Sequence, residues 1–226
     1  MKIKDFENCK KFKFLPSDTD TNAVRLRELE WLAPFIKEES LCLEFGVFNG
    51  TTINSVAKAR PDLTFHGFDS FEGLPEDWEM GGKHVRADAF DRSGVMPEVE
   101  DNVKLYKGWF DKTLPEFLDT FENPEVLRNS IGYLHVDCDI YSSTVTVMEE
   151  LNHLIVPGTI IRFDELSCWR TVFGEASPSG KASRAVYTTW KEHEWKAMLE
   201  WMEKYNRKVI PLCRNWFQGG TVVVTQ

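Results

Sequence analysis

No stretch of this chain is apolar for long enough to cross a bilayer as a helix, so a membrane-spanning protein is not expected. The N-terminus, Met1-Lys2-Ile3-Lys4-Asp5, has no apolar signal-peptide core. No Cys-x-x-Cys occurs; the five cysteines (Cys9, Cys42, Cys138, Cys168, Cys213) are scattered and odd in number. That disfavours a disulfide framework and fits a reduced, cytoplasmic setting. Basic residues are in the minority: 27 Lys and Arg against 36 Asp and Glu, a net charge of −9. A nucleic-acid partner needs clustered cations against phosphates and is not expected. Repeats and low-complexity tracts are also lacking. What remains is an ordinary globular composition, 226 residues with 42% apolar and 28% charged. One α/β domain with a full core fits that length.

The most informative stretch is Leu41-Cys42-Leu43-Glu44-Phe45-Gly46-Val47-Phe48-Asn49-Gly50-Thr51-Thr52. An apolar run ends in an acid, two glycines bracket a turn, and two hydroxyl residues open an amphipathic helix. Strand, glycine turn and helix N-terminus let a backbone approach a ligand closely. About 20 residues on, a second apolar run ends in Asp69, where nucleotide-type cofactors have their ribose hydroxyls held. Phe48 stands where the second glycine of G-x-G-x-x-G belongs, which disfavours a nicotinamide dehydrogenase. Gly81-Gly82-Lys83 lacks the P-loop spacing.

Residues 1–20 read as a polar arm available to pack on the body or on a partner subunit, the latter giving a homo-oligomer. Thr21 to Lys37 reads as a covering helix, with Leu29, Leu32, Ala33 and Ile36 at helical spacing. Strands are expected over Leu41–Phe45, Thr64–Asp69, Val103–Tyr106, Ile131–Val136 and Thr159–Phe163. Helices follow at Thr51–Arg60, from Asp111 as cap to Phe121, and from Ser142. A long helix is expected over Arg184–Tyr205, after a Gly/Pro/Ser-rich loop at Ser177–Ser183. A hairpin of Lys208–Leu212 and Thr221–Thr225 closes the chain. The 70–100 connection is too long to be plain linker and reads as a lid over an acceptor site or as a surface insertion. Alternation of strand and helix predicts a Rossmann-like α/β fold: seven mostly parallel strands, the last antiparallel, helices on both faces. The domain is expected to span 41–226.

In such a sheet, ligands sit beyond the carboxyl ends of the strands. There lie the Gly46–Gly50 turn, Asp69, Gly108 to Phe110, Asp137, Asp139, Asp164 and Glu165. Asp137, Asp164 and Glu165 fall on neighbouring strand ends, where clustered carboxylates repel. A Mg²⁺ with oxygen ligands would relieve that; the other reading is that Asp164 and Glu165 cap the next segment and pair with Arg162 or Arg170.

Five blocks, E-F-G-V-F-N-G-T-T, F-D-S-F-E-G-L-P, K-G-W-F-D-K-T-L-P, H-V-D-C-D-I-Y-S-S-T and P-G-T-I-I-R-F-D-E, come in this order. Together they resemble class I S-adenosylmethionine-dependent methyltransferases, specifically the macrocin/mycinamicin sugar O-methyltransferase group, from Leu41 to Glu165. The resemblance implies the strand order 3-2-1-4-5-7-6. It implies an S-adenosylmethionine site at Glu44, Gly46, Phe48, Asn49, Gly50 and Thr51, with Asp69 on the ribose and Ser70 nearby. Gly108, Trp109 and Phe110 would flank the adenine, and Asp137 would complete the site. It also implies Mg²⁺ on Asp137, Asp164 and Glu165. Three positions depart from the group: Glu165 for the usual Asp, Arg162 for an apolar residue, and Trp109 where an acid often meets the adenine.

The implied reaction is methyl transfer to a hydroxyl of a sugar or other small natural product, the cation acidifying that hydroxyl. Asp139 is the first candidate for the base and His84 the second, whereas His135 reads as a core histidine. A metal-independent methyltransferase and a non-catalytic S-adenosylmethionine-binding protein of the same fold are the alternatives.

Overall fold

The structure, a computed structural model, describes residues 1–12, 21–120, 130–166, 187–215 and 219–226. The strands are β1 (Lys10–Phe12), β2 (Leu41–Phe45), β3 (Phe65–Asp69), β4 (Trp78–Glu79), β5 (His84–Val85), β6 (Val103–Lys107), β7 (Ile131–Val136), β8 (Ile160–Phe163), β9 (Val209–Asn215) and β10 (Gly220–Val224). The helices are α1 (Thr21–Leu32), α2 (Thr51–Ala59), α3 (Phe110–Asp119), α4 (Tyr141–Leu151) and α5 (Glu194–Lys204). Eight strands form one sheet in the order β1-β9-β10-β8-β7-β2-β3-β6. The seven expected strands stand in their expected order, and only β10 runs antiparallel to its neighbours.

The eighth strand comes from the arm. Lys10-Lys11-Phe12 pairs in parallel with Cys213–Asn215, and Phe6 is fully buried. A strand this short, with two lysines, carries no apolar alternation, so nothing in its pattern announces it. It sits at the sheet edge, where short charged strands are the rule.

Strands β2 and β7 are buried at every position, as befits the centre of a parallel sheet covered on both faces. Side chains alternate between two cores. Leu41, Leu43 and Phe45 meet Leu114 and Phe117 of α3, Val147 and Met148 of α4, and Trp201 of α5. Cys42, Phe65 and Tyr133 meet Leu29 and Leu32 of α1 and Ile53 and Val56 of α2. Truncating one such side chain, as in Leu43→Ala, costs about 2–5 kcal/mol.

β9 runs on to Asn215, past the expected Leu212, and three helix boundaries differ from expectation. The first helix stops at Leu32 and continues as a 3-10 turn over Ala33–Phe35, because Pro34 lacks an N–H and clashes with the preceding turn. Helix α3 starts at Phe110 with Trp109 as its cap residue, so Asp111 lies in the first turn and meets the helix dipole instead of capping. Helix α5 starts only at Glu194, after a 3-10 turn at Trp190–Glu192. Upstream of it the backbone is claimed by the 70–100 segment: Tyr187 bridges Gly81, and Thr188 N–H donates to Met80 C=O at 2.8 Å. That segment carries the β4–β5 hairpin and buries Phe71, Trp78, Met80 and Val85. The expected loops at 123–129 and 177–183, the start of the long helix at 184–186, Cys168, Arg170 and the Trp216-Phe217 turn lie outside the described residues.

Candidate functional site

The glycine turn after β2 passes directly against the end of β7. Gly46 has φ +91°, and a Cβ there would collide with the carbonyl oxygen of Asp137. Only glycine fits both the angle and the space. Asp69 then fixes the turn: its Oδ2 accepts the N–H groups of Val47 and Phe48, each at 2.8 Å, and its Oδ1 accepts that of Phe71 at 2.6 Å. A carboxylate has about four acceptor sites, so one on Oδ1 remains for a ligand hydroxyl. Asn49 Oδ1 accepts from the Thr51 N–H and hydroxyl at 3.1 and 2.8 Å, which locks the entry to α2.

Beyond these strand ends lies a cavity of about 760 Å³. Gly46, Phe48, Asn49, Thr51, Asp69 and Ser70 line one side, Trp109 and Phe110 another, and Asp137, Asp139 and Glu165 a third. Trp78, Met80 and Val85 of the hairpin also line it. Four of the expected residues do not line it. Gly50 is turned into α2, and Gly108 donates its N–H to the Asp69 carbonyl at 2.9 Å. Asp164 and Glu44 lie below the floor, each 1% exposed.

Glu44 belongs to a buried chain of polar groups. Its Oε1 accepts the Thr52 hydroxyl and its Oε2 meets His135 Nδ1, both at 2.8 Å. On the other side of the ring, Arg162 Nη1 donates to His135 Nε2. Because a guanidinium can only donate, Nε2 must be the bare nitrogen and Nδ1 must carry the proton. Burial, reinforced by Arg162 and Arg25, holds the His135 pKa well below its usual value. His135 is therefore a neutral core histidine, locked between acid and arginine. Burial also pushes the Glu44 carboxyl up to about 8.

Arg162 is fully buried and reaches Asp164 Oδ1 at 2.6 Å and Glu28 Oε2 at 3.4 Å. Glu28, on α1, also accepts from Asn215 Nδ2, Thr221 Oγ1 and Cys213 Sγ at 2.9, 3.0 and 3.5 Å. The second oxygen of Asp164 is held by Arg25, again from α1. So each oxygen of Asp164 is held by a guanidinium group.

The cavity-facing carboxylates are placed differently. Asp137, Asp139 and Glu165 each bring one oxygen within 4.8 Å of the others. Asp139 has φ +63° on a non-glycine residue, which turns it back toward its neighbours. Burial raises the Asp139 pKa well above the carboxylate range, with Glu165 and Asp137 adding to the rise. Burial also raises Asp137, while Arg25 and Arg162 pull it back. Glu194, the first residue of α5, is fully buried and accepts the Glu165 N–H at 2.8 Å, which fixes where that side chain starts. Three oxygen donors crowded in a low-dielectric corner are a donor set of the kind that fits a hard divalent cation. Asp137 belongs to a second such group as well: it and Asp164 each bring an oxygen, and His135 a ring nitrogen, within 4.8 Å of one another, so the expected ligand Asp164 adjoins the set while holding Arg25 and Arg162.

Sequence reading missed Arg25, Glu28 and Glu194. For Glu28 a signal existed: Val24, Glu28 and Leu32 share the inward stripe of α1, and an acid on that stripe needs a buried partner.

A family model described as a methyltransferase domain matches residues 43–166, more than half the chain. A curated relative, the 8-demethyl-8-(2,3-dimethoxy-alpha-L-rhamnosyl)-tetracenomycin-C 4'-O-methyltransferase of Streptomyces olivaceus, is 29% identical over 147 residues. The match covers 54% of this chain and 51% of the relative, so the chain spans about half that relative's length. The fold is shared with the calicheamicin methyltransferase CalS11 (TM-score 0.62, 21% identity, covering 89% of this chain and 79% of that one). It is shared also with the O-methyltransferase NovP (TM-score 0.55, 18% identity, 89% and 80% covered). The chain belongs to the methyltransferase-domain family.

Proposed function

We propose that this chain transfers a methyl group from S-adenosylmethionine to a hydroxyl of a small acceptor, a sugar or related natural product, with Mg²⁺ held by Asp137, Asp139 and Glu165. The observation that carries the reading is that the Gly46–Gly50 turn, the Asp69 carboxylate and the three clustered carboxylates open onto one cavity. Its volume, about 760 Å³, suits a cofactor and a small acceptor together. The tetracenomycin relative, by its name, methylates a rhamnosyl hydroxyl.

When bound, the donor supplies a methyl already activated by its sulfonium, and a divalent cation would lower the pKa of an acceptor hydroxyl. The chain's own residues do the rest. The free acceptor site on Asp69 takes a ribose hydroxyl, and Trp109, 38% exposed at the cavity rim, offers a ring face to a base. Trp78, Met80 and Val85 exclude water and hold the apolar side of the acceptor, the role of a lid. Asp139 takes the hydroxyl proton on the carboxylate oxygen that it does not offer to the cation. A carboxylate whose pKa is raised above its ordinary range holds that proton more tightly than an ordinary one.

A metal-independent version is favoured by one observation: Arg25 and Arg162 already neutralise Asp164. The test is calorimetry with S-adenosylhomocysteine, then turnover over sugar, catechol and polyketide acceptors with Mg²⁺ or with EDTA. Binding of the homocysteine product and Mg²⁺-dependent methylation of a sugar hydroxyl are expected. No binding sinks the reading; turnover undiminished by EDTA selects the metal-independent form.

A further inference from the structure

We propose that Arg25 is a built-in counter-ion of the carboxylate corner, and that a divalent cation entering between Asp137, Asp139 and Glu165 must displace it. The inference rests on the cation site just described.

Among the described residues two guanidinium groups serve the corner, and they differ in freedom. Arg162 is fully buried and tied to Glu28, His135 and Asp164, so it has nowhere to go. Arg25 holds the other oxygen of Asp164, stands 3.8 Å from Glu165 Oε1 and lines the cavity. Its side chain is 23% exposed, and an arginine stem that reaches solvent can swing its head outward.

Charge makes the two cations rivals. Arg25 is within ion-pair reach of Asp164 and Glu165 and lines the same cavity as Asp137 and Asp139, so its charge bears on the donor set. A fixed positive charge a few ångströms from a site opposes a dication there, and in a low-dielectric corner that opposition is strong. Arg162 answers both Glu28 and Asp164, so Arg25 supplies the second positive charge there and reaches Glu165 as well. Its guanidinium thus serves the corner as a whole.

The experiment is a Mn²⁺ titration, read by electron paramagnetic resonance, of the full chain and of Arg25→Gln and Arg25→Lys. Arg25→Gln is expected to bind Mn²⁺ at least about tenfold tighter than the unmodified chain. Arg25→Lys, which keeps the charge and loses the fork, falls between. A second readout is thermal unfolding: Arg25→Gln melts lower in EDTA and recovers with Mn²⁺, while the unmodified chain shifts less. If Arg25→Gln is unfolded in EDTA, recovery of folding on adding Mn²⁺ reports the same replacement, and its failure overturns the proposal. Equal or weaker Mn²⁺ affinity in Arg25→Gln, or no Mn²⁺ bound by either protein, also overturns it. Binding of S-adenosylhomocysteine is measured alongside. Its loss with the Mn²⁺ difference intact would sink the methyl-transfer reading and leave the role of Arg25 standing.

Discussion

Two sets of acids lie at the same end of the sheet and lead different lives. Glu28, Glu44 and Asp164 form the inner set, each at most 1% exposed and each with its oxygens met by the chain's own donors. Asp137, Asp139 and Glu165 form the outer set, turned to the cavity and toward one another. The inner set is joined through Arg162 and His135 into a single hydrogen-bonded body. The outer set is crowded with like charge, and burial makes that crowding costly. Chemical type does not separate the two sets. Access to the cavity does. An acid whose donors are all internal holds the sheet together, whereas an acid facing its own kind is arranged for something that arrives.

The largest effect should come from cutting the inner body. Arg162→Met removes the one group that touches Glu28, His135 and Asp164. Stranding buried partners in this way costs about 3–5 kcal/mol, read as a lower urea midpoint. Adding Glu28→Leu to the same chain should return part of that loss, because the stranded charge goes too. If the double variant is no more stable than the single one, the inner set is not one body.

Next comes the outer set, where stability should barely move and rate should fall. Asp139→Asn removes the proton acceptor and is expected to slow turnover by about 10²–10⁴. Its affinity for S-adenosylhomocysteine and its melting temperature stay close to those of the parent, since relief of repulsion offsets what is lost. Turnover within a few fold of the parent would take Asp139 out of the reaction.

A pH experiment sharpens the inner side. The Glu44 carboxyl is pushed from 4.5 up to about 8 by burial. A folded-state pKa above the unfolded one means that the native chain holds the proton more tightly. The stabilisation is complete below about 4.5 and is lost as pH climbs toward about 8. Over that window the parent should lose stability at up to about 1.4 kcal/mol per pH unit from this group. Glu44→Gln, which can still accept from His135 and donate to Thr52, should lack that slope. Identical slopes in both proteins would show that Glu44 titrates normally.

The outer set was the more legible of the two. Asp137 and Asp164 directly follow apolar runs, with Asp139 and Glu165 one or two residues on, and a run that ends in an acid marks a strand tip in any parallel sheet. Gly46 and Asp69 were readable for the same reason. Pairing between distant segments was not. Arg25 and Asp164 stand 139 positions apart, and Glu28 meets Asn215 and Thr221 from 187 and 193 positions away. A single sequence has no local signal for such contacts, so Arg25 on Asp164 emerges only in three dimensions, whereas pairing with Arg162, two residues away, was readable. The edge strand at Lys10–Phe12 was hidden because two lysines on three residues show no period. Pro34 did carry a readable stop for α1, and the apolar spacing through Ile36 masked it.

The smallest effect expected is also the one that calibrates the comparison. Lys58, in the last turn of α2, meets Glu100 at 3.2 Å with side chains 65% and 36% exposed. The pair has the same charges as Arg162 with Glu28 and a slightly shorter contact. Water screens it, and holding two long side chains in one geometry costs entropy, so Lys58→Ala should change stability by less than about 0.5 kcal/mol. Part of even that belongs to the favourable placement of a cation at a helix C-terminus, which high salt weakens. Chemical denaturation at low and at high salt separates the two contributions. If Lys58→Ala cost as much as Arg162→Met, charge pairing itself would set the scale. The division between inner and outer acids would then owe nothing to burial.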